Sequence, residues 1–179
     1  MHSLFSQRLP AGKTRWGFKE IRYGLNSGVP ERMLTLFPQT KVIHAVRHPF
    51  STISSTVRAW RPQVFNKNLS EVERRVVIIA QVRKEMARWK ETTGYLADFC
   101  AAHPNKSMTV QIEEAKDKLD TIIEFLETPH EAHEVEVARE ENPARDDEAV
   151  ARIIRAAYLA ELERDPSFAA VAARVNYKA

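Results

Sequence analysis

The chain has 179 residues, 44% hydrophobic and 28% charged, which is the ordinary balance of one soluble domain with a sizeable core. Its net charge of +3 and pI near 9.1 suit an anionic substrate but are too small to argue for a nucleic-acid partner. A lone cysteine, Cys100, excludes an intramolecular disulfide and makes a reducing, cytoplasmic setting the expectation. The lack of an apolar core in the first 15 residues and of any long apolar run argues against a secretory leader or a membrane partner.

Residues 1–14 are polar and without period, and are expected to form a poorly structured lead to a single domain spanning 1–179. Residues 16–23 predict a short strand, broken by Gly24, Asn26, Ser27 and Gly28. Pro30 and Glu31 open a helix that Phe37 and Pro38 close. Val42, Ile43, Ala45 and Val46 form a β-branched, mostly apolar run of strand length that stops at Arg47. Pro49 cannot continue a ladder but fits the first turn of a helix, where its missing N–H is harmless. After a loop over 61–69, Ser70 and Glu73 carry a capping-box signature. The helix they start is expected to reach about His103. Val72, Val76, Ile79, Met86, Trp89, Leu96 and Phe99 form its apolar face, and Gly94 bends or divides it. Its many charges, among them Arg74, Arg75, Arg83 and Lys90, are read as a solvated face. A third strand is expected over 107–112, a helix over 115–127, an acidic loop over 130–147, a helix from Asp146 or Asp147 to about Arg164, and a short one from Pro166 to about Val175. Strands separated by helices predict an α/β fold with a short parallel sheet of about three strands and a helical C-terminal part.

The organising stretch is 40–60. It delivers a permanent cation, Arg47, to the carboxyl edge of a sheet, and a helix start follows at once. Such a start offers unpaired N–H groups and the positive end of the dipole. Ser51 and Ser55 are four apart, so both hydroxyls fall on one helical face. A guanidinium fork beside a hydroxyl suits a phosphate monoester. A strand-turn-helix whose arginine makes a structural salt bridge has the same spacing, and spacing does not choose between the two.

The stretch resembles the 3′-phosphate-binding segment of sulfotransferases that use 3′-phosphoadenosine 5′-phosphosulfate (PAPS), with Arg47 at the strand end and Ser55 eight residues later. Trp16-Gly17-Phe18-Lys19-Glu20 is similar to the "WGFKE" strand of the bacterial-type branch, and Leu36-Phe37-Pro38 to its "LFP" helix end. Thr109 to Glu114 is similar to its "vxYEDL" strand and Ile123 to Leu126 to its "FLG" helix. The likeness covers roughly 15–130, with the pieces in the family's order. It implies a partial P-loop-like sulfotransferase fold and transfer of a sulfonate group from PAPS to a hydroxyl or amine of a small-molecule or carbohydrate acceptor. Arg47 and Ser55 would bind the nucleotide, Lys19 would be catalytic, and no metal would be needed. A lysine between Phe18 and Ile21 is costly unless paired or liganded. In several relatives the matching lysine meets the charge that grows on the leaving phosphate. The alternative places Lys19 on the exposed face of an edge strand.

Other candidates are weaker. Glu20 and Arg22 share the opposite face of that strand, and neither is assigned as general base. His48 reads as a turn residue. His130 and His133 have the wrong spacing for a zinc-protease helix. Glu113 and Glu114 look like paired carboxylates, but helix capping at the strand-to-helix turn is the simpler role. Gly12-Lys13-Thr14 lacks the preceding glycine and lead-in strand of a phosphate loop.

The departure from the family is the absence, before Trp16, of a strand and Gly/Ser/Thr-rich turn for the 5′-phosphosulfate. Without that strand, its neighbours are expected to keep unpaired backbone groups and an exposed apolar flank. A fragment is the favoured explanation. A shortened non-catalytic relative that still binds the 3′-phosphate, completion by another chain (a homo-oligomer among the options), and a helical interaction protein built on the long helix are the alternatives.

Overall fold

The computed structural model describes residues 17, 19, 27–60, 68–128 and 148–178. Six helices and two strands follow one another within them: α1 (Val29–Leu36), β1 (Val42–Val46), α2 (Pro49–Trp60), α3 (Glu71–Ala102), β2 (Ser107–Gln111), α4 (Leu119–Leu126), α5 (Glu148–Arg164) and α6 (Pro166–Arg174). A 3-10 turn, Ile112–Glu114, joins β2 to α4. The fold is mixed α/β and mostly helical.

The backbone of the arrangement is α3. Its 32 residues make a rod about 48 Å long. Both halves of the expected capping box are present: the Ser70 hydroxyl accepts from the Glu73 N–H at 3.3 Å, and Glu73 Oε2 accepts from the Ser70 N–H at 2.9 Å. The helix runs unbroken through Gly94, so the expected division there does not occur. Its inner face is Ile78, Val82, Met86, Trp89, Ala97 and Phe99. Val72 and Val76, expected inside, are 74% and 62% exposed, because Val76 lies about 200° around the helix from the buried Ile78.

Against α3 pack α2 through Ile53 and Val57, α5 through Val150, Ile154 and Tyr158, and α6 through Phe168 and Ala172. An aromatic chain threads this core. Phe50 meets Tyr158 edge-on at 5.2 Å, Tyr158 meets Phe168 edge-on at 6.0 Å, and Phe168 meets Trp89 at 5.1 Å. Most of the charges expected to be solvated are exposed, Arg75 and Arg83 among them, and two of the set also tie helices together. Arg83 pairs with Glu161 at 2.7 Å and Lys90 pairs with Asp165, so both fasten α3 to the α5–α6 corner.

The sheet is parallel, as the strand-helix-strand order requires, with Val42 opposite Ser107 and Val46 opposite Gln111. Among the described residues it has two strands, not three. Of the strand expected over 16–23, only Gly17 and Lys19 are described, and neither is in a strand. One face of β1, carrying His44 and Val46, is buried; the other, carrying Ile43 and Ala45, is exposed. A parallel sheet normally has both faces covered by helices, and here one face of β1 is left exposed. The helix expected from Ala115 begins at Leu119. Residues before it close tighter turns, with the Ala115 N–H on the Ile112 carbonyl and the Leu119 N–H on that of Lys116.

Candidate functional site

The candidate site is the turn where β1 hands over to α2. Pro49 opens α2 and is fully buried, and Ile53 and Val57 follow at four-residue spacing, so the helix is pinned by one stripe. Ser55 lies about 200° from Ile53 and therefore on the outer face. It is exposed and has no hydrogen-bond partner among the described residues. Arg47 is exposed two residues before Pro49, on the same side of β1 as Ile43 and Ala45. Its guanidinium makes no ion pair among the described residues, so the structural salt bridge left open by the spacing is not found there. From Pro49 to Ser55 the helix climbs about 9 Å. Arg47 thus stands just before α2 and Ser55 nearly two turns into it, and both are exposed.

The turn itself is heavily tied. The Thr52 N–H donates to the His48 carbonyl at 3.0 Å, and the Thr52 hydroxyl lies 3.2 Å from the same oxygen. Glu113 Oε1 accepts from the His48 N–H at 3.0 Å. Glu113 does cap a helix, as its residue type suggested, but the helix is α2 and not its own. Glu114 instead pairs with Lys118 at 2.6 Å. The Tyr177 hydroxyl sits between the Val46 carbonyl, 3.1 Å away, and Glu113 Oε2, its one proton within reach of both acceptors. The Tyr177 ring meets the His48 ring edge-on at 5.5 Å, and His48 is a turn residue as expected. Burial pushes the Glu113 carboxyl up, but the Tyr177 hydroxyl, the His48 N–H and the nearby Arg47 charge outweigh it and hold the group below the usual carboxylate range. Burial, then the Glu113 carboxylate, raise the Tyr177 hydroxyl.

Lys19 is exposed and outside any strand, so the strand that would bring it beside β1 is not seen at its own position. Glu20, Arg22, His130, His133 and Gly12-Lys13-Thr14 lie outside the described residues. Among the described residues no group of three or more His, Cys, Asp or Glu is placed to hold a metal ion, and no helix is long and apolar enough to cross a membrane. Tyr177 went unnoticed in the sequence. It stands 131 positions from Val46, and the only local signal is an amphipathic ring whose polar end needs a partner when half-buried. Compared with protein-family models, with curated proteins and with solved structures, the chain matches none.

Proposed function

We propose that the chain is a sulfotransferase that moves a sulfonate group from PAPS to a hydroxyl or amine acceptor. One observation carries the reading. An exposed arginine with no ion pair among the described residues stands at the carboxyl edge of a parallel pair, directly before a helix whose outer face presents a hydroxyl. That edge is where open α/β sheets take their ligands. The bound nucleotide would supply a sulfonate on a phosphate leaving group. Arg47 would grip the 3′-phosphate with its planar fork, and the Ser55 hydroxyl would add a hydrogen bond. The Lys19 ammonium would meet the charge growing on the departing phosphate. The resemblance over 15–130 supports the choice of nucleotide, and the half-site around Arg47 supports the 3′-phosphate end of it.

Calorimetric titration with adenosine 3′,5′-bisphosphate tests this. Arg47→Ala should cost on the order of 1.5–3 kcal/mol, roughly ten- to a hundredfold in affinity. Binding that equals wild type in the variant, or no binding by folded wild type, overturns the reading. Binding without transfer of labelled sulfonate marks the non-catalytic relative. A helical interaction protein is the second reading. It is favoured by Val72 and Val76, one turn apart and exposed on the side of α3 opposite the core. It expects no nucleotide binding, and self-association or partner capture that Val76→Glu abolishes in sedimentation runs.

A further inference from the structure

Distant parts of the chain converge on the residues either side of Arg47. Before it, the Val46 carbonyl faces the Tyr177 hydroxyl. After it, the His48 N–H is taken by Glu113 and the His48 ring by the edge of Tyr177. Tyr177 and Glu113 are themselves joined through the same hydroxyl. Tyr177 is held in turn from β2. The buried Gln111 amide donates to the carbonyls of Asn176 at 3.0 Å and Val175 at 3.3 Å. Asn176 adopts the left-handed φ of 63°, which turns the chain so that Tyr177 follows it back toward β1. Arg47 is the exposed centre of a three-residue turn whose two neighbours are clamped.

We propose that Tyr177 and Glu113 are positioning residues for the phosphate site, fixing the 46–48 turn so that Arg47 is presented to its ligand already ordered. The inference rests on the reading of Arg47 as a phosphate ligand. A guanidinium on a loose turn would lose backbone freedom on binding, whereas a braced one has lost it on folding. Neither Tyr177 nor Glu113 needs to touch the nucleotide for this. Their effect passes through Arg47, and it should vanish when Arg47 is gone.

The experiment is a double-mutant cycle read by titration with adenosine 3′,5′-bisphosphate. Tyr177→Phe keeps the ring against His48 and removes only the hydroxyl. It should weaken binding roughly tenfold, and should weaken it no further in a chain already carrying Arg47→Ala. Glu113→Gln, run through the same cycle, should show the same dependence on Arg47 and decides the matter if Tyr177→Phe does not fold by circular dichroism. Unchanged affinity in both folded variants overturns the inference. So does a loss of equal size with and without Arg47, which is what a merely structural brace would give. Silence of the wild type is a different result: it overturns the reading of Arg47 itself, before either positioning residue is questioned.

Discussion

Glu113 Oε1 accepts a hydrogen bond from the His48 backbone N–H at 3.0 Å, across 65 positions of sequence. The first N–H groups of a helix have no partner within it, and here a carboxylate from beyond β2 supplies one for α2. Folding lowers the Glu113 carboxyl from its ordinary value of 4.5. A lowered carboxyl stabilises the fold above its unfolded pKa and gives that contribution up as pH falls through the folded value. Glu113→Gln should therefore cost about 1 kcal/mol near neutrality. The gap between variant and wild type in urea midpoint should close as the pH falls below 4.5 and through the lowered folded value of the carboxyl.

His44 behaves in the opposite chemical sense with the same sign. It is 6% exposed on the covered face of β1, its Nδ1 3.5 Å from Thr109 Oγ1, and burial lowers it from 6.5 to about 4. Between those values the unfolded chain binds a proton that the folded chain refuses. Stability is thus full above about pH 6.5, falls as the pH drops toward 4, and levels off below. The expected loss is about 3 kcal/mol. His44→Leu should flatten the urea-midpoint curve across that window.

Gly94 sits inside α3 with no need of a glycine conformation. A Cβ added there would meet the Val171 methyls at 3.9 and 4.0 Å, ordinary contact. Gly94→Ala should raise stability by about 1 kcal/mol, since alanine gives up less backbone freedom and adds a contact. Thermal unfolding reads it as a higher Tm, and a fall would show that the α3–α6 seam does not accept the methyl.

Phe168 closes the aromatic chain between Trp89 and Tyr158 and is 1% exposed. Phe168→Leu should cost about 1–1.5 kcal/mol by reshaping the cavity. Phe168→Ala should cost about 3–5 kcal/mol, a large part of the stability of an ordinary domain. Urea unfolding at unchanged slope checks the first; loss of the cooperative transition checks the second.

What could be read from the sequence was whatever a few neighbouring residues decide. Val42 to Val46 gave a strand by composition, Pro49 a helix start by its missing N–H, and Ser70 with Glu73 a cap by reciprocal hydrogen bonds. The phase of α3 was misread at its N-terminal end, because Val72 and Val76 keep a helical spacing with each other while facing away from the core. Gly94 looked like a break, yet the contacts on either side of it outweigh its propensity. Arg47 and Ser55 could be named from the sequence as a pair eight residues apart, and both are exposed. The Glu113 cap on α2 and Tyr177 were not, because each acts on a turn far away in sequence, and no local pattern records such a contact.

The parallel pairing of β1 with β2 has a consequence for how the chain folds. His44 lies opposite Thr109, 65 positions on, with all of α2 and α3 between. α2 can pack on α3 across a short connection, while the strand pair must first close a long loop. Kinetic analysis of Val82→Ala in α3 should give a high φ-value and Val46→Ala in β1 one near zero. The turn bearing Arg47 would then be the last part to assemble and the first to open. Amide exchange at Arg47 and His48 should outpace that at Val82 and Met86 by the difference between a local opening and global unfolding.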